Sequence, residues 1–317
     1  MYYVSVDCGG TKTAFVLTNE KGFKLAECVL GPGNFLVTGV DKVTDTIVEG
    51  VETLCKQANI STDDLSMVLI ASAGYNSQRG NPEYDAAAKE KYKFNYVVTS
   101  DVSNAIKGSL LDNEGIHLIA GTGSIGKGFD GKELKPSVGG WGYYCGSDEG
   151  SGYWIGCQLL HHFERQADGR EARTSLYDYV MKKFELNNDR EIVTTIIKVL
   201  ENKREKIATL AIDVAELCKQ GDECAKQIMF DAGKELAQVA KAIYKRDKYN
   251  DPVTISYSGS VFKSAEYLTP GIEDELKDIP HNFRAPILSP LAGGILLAIE
   301  YAGNKYDDET IENLKKI

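Results

Sequence analysis

Two short segments rich in glycine and threonine, each set between β-strand patterns, constrain the fold of this sequence more than any other feature. DCGGTKT (residues 7–13) lies between YYVSVD and TAFVLT, and GTGS (residues 121–124) follows the pattern IHLIAG and opens TGSIGKGF. Each strand pair continues through a turn, NEKG or DG, to a third strand pattern, FKLAECV or KELKP (residues 132–136). This repeated order predicts two related halves, each opening with a three-stranded meander.

The second segment also matches two phosphate-binding templates. Gly121, Gly123 and Gly126 fit the dinucleotide pattern G-x-G-x-x-G, whereas Gly121, Gly126 and Lys127 fit most of a P-loop, with Gly128 at its Ser/Thr position. Both templates require a helix to begin at the glycines. TGSIGKGFDGKELKP is instead typical of a hairpin, since it contains further glycines, a D-G turn and a proline. We therefore reject both templates and predict that Lys127 is a strand residue.

A hairpin loop can bind phosphate through backbone N–H groups and hydroxyls without a helix. One such loop alone would be explained as a tight turn, but two at matching places favour a site for the phosphates of a nucleotide. Glycine permits close approach of the backbone, and Lys12 would add positive charge unless it is simply solvated. The predicted phosphate-binding residues are Gly9, Gly10, Thr11, Lys12, Thr13, Thr122, Gly123 and Ser124.

The remaining patterns alternate between strands and helices. MVLIASA, NYVVTS and VTISYSG are buried strand patterns, and an amphipathic helix is predicted over residues 42–58. Further helices are predicted near 153–167, 174–186, 189–201, 203–219 and 222–247, and SPLAGGILLAIEYA forms a late helix packed closely through Gly293 and Gly294. The sequence therefore predicts an α/β protein whose second half is rich in helices.

Composition excludes several classes of function. The formal net charge of -10, without a basic patch, argues against a nucleic-acid partner. No apolar run approaches the ~20 residues that span a bilayer, so we expect no membrane association and a cytoplasmic location. The seven cysteines are scattered without a C-x-x-C pair, so neither a disulfide framework nor a structural zinc site is predicted.

An ordered set of motifs resembles a known family. VDCGGTKT and LIAGTGS resemble the two phosphate loops of the sugar kinase, Hsp70 and actin superfamily. GGWGYYCGSDEGSGYWIG (residues 139–156) resembles the signature of N-acetylglucosamine kinases in the BadF/BadG/BcrA/BcrD ATPase family, and YSGSVFKS (residues 257–264) resembles that family's adenosine-side loop. The likeness runs from residue 1 to about residue 303.

The resemblance implies a two-lobed actin-like ATPase (ribonuclease H-like) fold, with duplicated mixed sheets and a cleft between the lobes. The expected N-terminal lobe spans residues 1–112 and is rejoined by a C-terminal helix within 290–317. Residues 113–289 form the larger, helix-rich lobe. The resemblance also implies ATP and Mg²⁺ as cofactors and a homodimer.

Asp101 is the predicted catalytic base. It follows the buried strand NYVVTS and opens the helical pattern DVSNAIKG, so it lies where the ligands of α/β folds gather. In the similar sugar kinases an Asp at this place accepts the proton of the attacking sugar hydroxyl; the alternative is a helix N-cap. The resemblance further implies that Asp7 holds Mg²⁺, through water, and that Gly259, Ser260 and Lys263 lie against adenosine.

For the sugar, the resemblance implies contacts from seven residues. A carboxylate can accept two hydroxyls and an aromatic face can pack on a sugar ring, although Trp141 would equally suit a core. One extra residue, Ser147, separates Trp141 from Asp148 compared with the form WGxxxGDEGS. The predicted sugar-binding residues are Asn34, Asp101, Gly139, Gly140, Trp141, Gly142 and Asp148.

The resemblance therefore implies ATP-dependent phosphorylation of an N-acetylated amino sugar, N-acetylglucosamine or N-acetylmuramic acid, in amino-sugar or cell-wall salvage. A glucosamine kinase is one alternative. Another is an ATPase that activates an iron-sulfur dehydratase or reductase, with Cys145 and Cys157 as cluster ligands; the absence of a compact cysteine group disfavours it. A third alternative, a sugar-responsive regulator, is disfavoured because only six residues precede Asp7 and the zinc motif of such regulators is missing.

Overall fold

A computed structural model describes residues 1–75 and 79–317 of the chain. In chain order, its strands are β1 (Tyr2–Cys8), β2 (Thr13–Asn19), β3 (Lys24–Leu30), β4 (Leu65–Ser72), β5 (Tyr96–Ser100), β6 (Gly115–Ala120), β7 (Ser124–Phe129), β8 (Val138–Gly139), β9 (Val253–Ser258) and β10 (His281–Phe283).

The helices, in chain order, are α1 (Phe35–Thr38), α2 (Val40–Ala58), α3 (Pro82–Lys91), α4 (Asp101–Leu110), α5 (Gly152–Ala167), α6 (Ser175–Lys183), α7 (Glu191–Lys198), α8 (Arg204–Ala208), α9 (Leu210–Lys219), α10 (Glu223–Asp247), α11 (Ala265–Leu276), α12 (Pro290–Tyr301) and α13 (Asp308–Leu314). Short 3₁₀ turns lie at Thr62–Asp64, Tyr143–Cys145 and Ser260–Ser264. No helix in the described part of the chain is both long and apolar enough to cross a membrane.

The strands form two sheets with the same topology. Over the described residues, the first sheet has the order β3-β2-β1-β4-β5 and the second has the order β8-β7-β6-β9-β10. In each, the first three strands in chain order form an antiparallel meander, and the last two join parallel to the first. The predicted duplication of mixed sheets is therefore confirmed.

The chain divides into two compact units. The first contains Met1–Asp112 and Ala285–Ile317, and the second contains Asn113–Arg284. In the first unit, β1 alternates between two apolar clusters: Val4 and Val6 face one side of the sheet with the apolar residues of α2, whereas Tyr3 faces the other with those of α12. Both faces of this sheet are therefore covered.

Helices α12 and α4 pack at a very short distance from each other. Gly293 lies against the backbone of Asn104 and Gly108, where a methyl group would overlap both. The predicted close packing through Gly293 is confirmed, and it fixes the helix that begins with Asp101.

Two elements predicted from the sequence are wrong. KELKP is not a strand: Asp130 Oδ1 accepts the backbone N–H groups of Lys132 and Glu133, which closes a turn, and the third strand of the meander is the later β8. The helix predicted over 203–219 is broken into α8 and α9 at Thr209, whose hydroxyl donates to the carbonyl of Lys206 (2.6 Å).

Candidate active site

Two half-buried carboxylates lie at one edge of the first sheet. Asp7 is near the end of β1, and Asp101 directly follows β5; because β1, β4 and β5 are parallel, their carboxyl ends share that edge. Burial raises the pKa of Asp7 to about 6, with a further contribution from the negative charge of Asp101. The two carboxylates therefore form a compact negative site.

Asp101 is the first residue of α4, and Ser100 is the N-cap, so the alternative that Asp101 is only an N-cap is wrong. Burial raises the pKa of Asp101, while hydrogen bonds from the backbone N–H groups of Asp101 and Val102 act in the opposite direction. Its carboxylate thus lies at the positive end of a helix dipole, which stabilises the ionised form.

Asn104 belongs to this site and was missed in the sequence. It is fully buried, and its Nδ2 donates to Asp7 Oδ1 at 3.5 Å. Its Oδ1 has no hydrogen-bond partner among residues 1–75 and 79–317. The sequence could have indicated Asn104 through its position three residues after Asp101, because this spacing places both side chains on one face of α4.

The first glycine-rich loop is the turn between β1 and β2. Gly9 N–H donates to the carbonyl of Lys12 (2.9 Å), and the intervening Gly10 and Thr11 are exposed, as is Lys12. Thr13, by contrast, is buried and its hydroxyl donates to the carbonyl of Gly31 (2.8 Å). The loop therefore presents backbone and Thr11, whereas Thr13 anchors the loop to the protein.

The second loop has the same place in the second sheet. Gly121 N–H donates to the carbonyl of Gly123 (2.9 Å), and a strand, β7, follows at once. The rejection of the dinucleotide and P-loop templates is confirmed, and Lys127 is a residue of β7 paired with His117. The Ser124 hydroxyl donates to the carbonyl of Glu149 (2.7 Å), which ties the loop to the GSDEGS segment.

Asp148 and Arg204 form an ion pair that contacts this second loop. Asp148 is 3% exposed; its Oδ1 accepts the N–H of Ser124 (3.1 Å) and its Oδ2 accepts from the Arg204 guanidinium (2.6 Å). A methyl group on Gly123 would overlap that guanidinium, so a larger residue there would displace the Arg204 side chain from its present position. The guanidinium also lies over the ring of Tyr143, 5.3 Å from its centroid.

Arg204 therefore places a positive charge beside the predicted phosphate loop. Nothing in the polar stretch NKREK, 56 residues after Asp148, marked it in the sequence.

The loop with Gly259 and Ser260 emerges beside the second phosphate loop. It follows β9, which pairs in parallel with β6, so both loops leave the same edge of the second sheet. Ser260 opens a 3₁₀ turn that ends at Ser264 and includes Lys263. The second unit therefore brings the predicted adenosine residues to the same sheet edge as the second phosphate loop.

The other predicted sugar-side residues lie in turns. Trp141 is 80% exposed, which excludes the alternative that it belongs to the core. Its neighbours Gly139, Gly140 and Gly142 all have positive φ. Asn34, in the first unit, is the N-cap of α1, and its Oδ1 accepts the N–H of Leu36 (3.0 Å).

Duplicated mixed sheets, each with a hairpin loop after its first strand, define the class of actin-like ATPases that includes sugar kinases. Residues 4–298 match the BadF/BadG/BcrA/BcrD ATPase family, and the chain belongs to that family. The predicted family and fold are thereby confirmed, and use of ATP follows from the family.

Two relatives cover most of the chain. An N-acetyl-D-glucosamine kinase of Dictyostelium discoideum is 27% identical over 94% of this chain and 97% of its own. An N-acetylmuramic acid/N-acetylglucosamine kinase of Clostridium acetobutylicum is 27% identical over 84% of this chain and 87% of its own. A solved structure from Chromobacterium violaceum, provisionally named N-acetylglucosamine kinase, shares the fold with a TM-score of 0.74 at 22% identity, covering 94% of this chain and 98% of that one.

Proposed function

We propose that this protein transfers the γ-phosphoryl group of ATP to a hydroxyl of an N-acetylated amino sugar, N-acetylglucosamine or N-acetylmuramic acid. The observation that carries the proposal is the pair of half-buried carboxylates with raised pKa values, Asp7 and Asp101, at the edge of the first sheet beside a glycine-rich hairpin loop. Phosphoryl transfer needs positioning and charge neutralisation more than covalent chemistry, and two carboxylates with different partners can divide these tasks. The names of the two relatives support the choice of substrate.

Asp101 is the proposed catalytic base. Its carboxylate accepts a hydrogen bond from the sugar hydroxyl and orients the hydroxyl oxygen. As that oxygen forms its bond to the γ-phosphorus, the bond from this phosphorus to the β,γ-bridging oxygen breaks and ADP leaves, while Asp101 receives the proton of the hydroxyl. The N–H groups at the start of α4 favour the ionised carboxylate, which is the form that can accept a proton. The close packing of Gly293 on α4 keeps this carboxylate in place.

Asp7 is the proposed residue for Mg²⁺, held through water. The site fits a cation, because a second carboxylate nearby raises the pKa of Asp7 and a buried Asn104 oxygen has no partner in the described part of the chain. When bound, Mg²⁺ would neutralise charge on the transferred phosphate. Asn104 Nδ2 donates to Asp7 Oδ1, which makes Asn104 a proposed positioning residue.

For ATP, the two hairpin loops and the loop after β9 supply the proposed contacts. Arg204 joins them, since its guanidinium lies against Gly123. The other proposed ATP-binding residues, predicted from the sequence, are Gly9, Gly10, Thr11, Lys12, Thr122, Gly123, Ser124, Gly259, Ser260 and Lys263. Thr13, also predicted to bind phosphate, is fully buried, so its proposed role is to hold the first loop in place.

For the sugar, Asp148 stays a proposed contact. In the described residues Oδ1 accepts from Ser124 and Oδ2 from Arg204, and each oxygen can accept a second hydrogen bond. Because Asp148 is 3% exposed, a sugar hydroxyl would reach it only after its surroundings open. Exposure leaves the ring of Trp141 accessible to a sugar face. The remaining proposed contacts are Asn34, Asp101, Gly139, Gly140 and Gly142.

A sugar panel tests this proposal. The full-length protein is incubated with ATP, Mg²⁺ and, separately, N-acetylglucosamine, N-acetylmuramic acid or glucosamine, and sugar phosphate is measured by mass spectrometry. We expect phosphorylation of at least one N-acetylated sugar, lost in Asp101→Asn and kept in Asp63→Asn, which alters an exposed carboxylate. If glucosamine is the only sugar phosphorylated, the proposed substrate is wrong and the protein is a glucosamine kinase. ATP hydrolysis without any sugar phosphate, together with a brown chromophore after anaerobic purification, would overturn the kinase and favour the electron-transfer ATPase.

We also propose a cytoplasmic location and a homodimer. All seven cysteines are free, which suits a reducing compartment that supplies ATP. The homodimer rests on the family resemblance, and light scattering after size-exclusion chromatography would measure it.

A further inference from the structure

Three side chains with metal-binding atoms meet near the end of α5. His162 comes from α5, Glu171 from the segment that follows it, and Cys224 from the start of α10. The imidazole nitrogen, a carboxylate oxygen and the thiol sulfur all lie within 4.8 Å of one another. We propose that these residues bind a divalent transition-metal ion of the zinc class, at a site separate from Asp7 and beyond the proposed kinase function.

The spacing of the donor atoms suits such an ion after a small adjustment. Zinc bonds of about 2.0–2.3 Å in tetrahedral geometry separate ligand atoms by about 3.3–3.8 Å. His162 Nδ1 and Glu171 Oε2 are 2.7 Å apart, a hydrogen bond that the ion would replace. Cys224 Sγ lies within 4.8 Å of both atoms, so it needs to approach by no more than about 1.5 Å. Side-chain rotation alone can supply changes of this size.

A neighbouring cation already orients the carboxylate. Arg165 Nε donates to Glu171 Oε1 (2.5 Å), which leaves Oε2 directed at His162. A hydrogen bond to the second oxygen of a metal-binding carboxylate is the usual arrangement around such ions. Arg165 therefore supports the site and leaves one carboxylate oxygen for the ion.

Cys224 would bind the ion as a thiolate. It is the second residue of α10, where the helix dipole favours negative charge. The acidic side chains of Asp222 and Glu171 lie near the thiol. A divalent cation between the sulfur and Glu171 would offset the repulsion between these negative groups and a thiolate, as coordinated thiols lose their protons. The mixed nitrogen, sulfur and oxygen donor set selects zinc-like ions over Mg²⁺.

The ion would connect two helices that support the second phosphate loop. Helix α5 starts at that loop, where Gly152 N–H donates to the carbonyl of Gly121 (2.8 Å), and α10 packs on β7. Three protein ligands plus water would join the other end of α5 to the start of α10. The proposed role is to stabilise this unit rather than to take part in catalysis.

Cobalt substitution tests the site directly. The reduced, chelator-treated full-length protein is titrated with Co²⁺ in the absence of nucleotide. We expect one equivalent to bind with a thiolate-to-cobalt charge-transfer band, which Zn²⁺ removes by displacement. Cys224→Ser should abolish the band, and His162→Gln and Glu171→Gln should weaken Co²⁺ binding at least tenfold. Zn²⁺ should raise the melting temperature of the wild type but not that of Cys224→Ser.

Two matched variants serve as controls. His161→Gln changes the half-exposed imidazole next to His162 on α5, and Cys157→Ser changes a different cysteine, which also lies on α5; both variants should keep the band. Circular dichroism of the metal-free variants checks folding, and His162→Gln alone decides the matter if Cys224→Ser is unfolded. A wild type without the band, or a folded His162→Gln that binds Co²⁺ as tightly as wild type, would overturn the proposal. Because the readout needs no turnover, it is independent of the kinase assay.

Discussion

Acid should destabilise the second unit through His117, a fully buried residue of β6. Its Nε2 lies 2.9 Å from Ser258 Oγ, and its Nδ1 has no partner in the described residues. Burial lowers the pKa of this imidazole from 6.5 to about 3. Between pH 6.5 and pH 3 the imidazole is protonated in the unfolded chain but neutral in the folded chain, so the free energy of unfolding falls as the pH drops below 6.5.

The size of the effect follows from the two pKa values. Between pH 8 and pH 5 the unfolded imidazole gains a proton with a free energy of about 2 kcal/mol, at about 1.36 kcal/mol per pH unit. Asp7, whose pKa is raised to about 6, changes stability in the opposite direction over part of this range, because it becomes easier to bury once protonated. The measurement is therefore a difference between the wild type and His117→Gln, which removes the titrating group.

Urea unfolding followed by tryptophan fluorescence is a suitable assay, since Trp141 and Trp154 both belong to the second unit. From pH 8 to pH 5 the wild type should lose about 2 kcal/mol more unfolding free energy than His117→Gln. His161→Gln, which alters a half-exposed imidazole, should behave as wild type. If His117→Gln shows the same pH dependence as wild type, the reasoning about the buried imidazole is refuted.

Three further predictions concern the proposed active site. Asp101→Asn should lower kcat at least about 100-fold while the Kd for ATP, measured by calorimetry, changes little, because the base acts on the hydroxyl; unchanged turnover would move the base elsewhere. Arg204→Met should lower the unfolding free energy by about 3 kcal/mol, because it leaves the buried Asp148 charge unpaired, and it should raise KM for ATP, because it removes a positive charge beside the second phosphate loop. The double variant Arg204→Met/Asp148→Asn should be more stable than Arg204→Met. Arg190→Met, which alters an exposed ion pair, should have little effect. Gly293→Ala should destabilise the first unit by about 1–3 kcal/mol through overlap with α4, and it should lower kcat by displacing Asp101. Gly31→Ala, with open space around it, should change neither stability nor kcat. Equal melting temperatures for the two glycine variants would contradict the packing argument.

The sequence was informative where the structure depends on residues close together in the chain. The glycines, the D-G turn and the proline after Gly121 excluded a helix, and the strand β7 agrees. The change from the strand NYVVTS to a helical pattern placed Asp101 at the start of α4. Repetition of strand and turn patterns predicted the duplicated sheets. All of these follow from backbone propensities and hydrophobic periodicity, which local sequence encodes.

Local patterns failed where a side chain altered the backbone. KELKP has the alternation of a strand, but two backbone bonds to Asp130 hold it in a turn and displace the third strand to β8. The periodicity of 203–219 is continuous, yet the helix is interrupted at Thr209. For KELKP, one short polar side chain offered the backbone alternative hydrogen bonds.

Only the tertiary structure decided which distant side chains meet. Arg204 reaches Asp148 across 56 residues, and Cys224 joins His162 and Glu171 although no cysteine or histidine spacing in the sequence suggested a metal site. Asn104 joins Asp7 across 97 residues. These contacts are made by helices packing on sheets, and the burial that changes the pKa of Asp7 and His117 arises only when the core closes. Sequence therefore determined the loops and the elements that carry them, whereas packing determined the charges and partners around them.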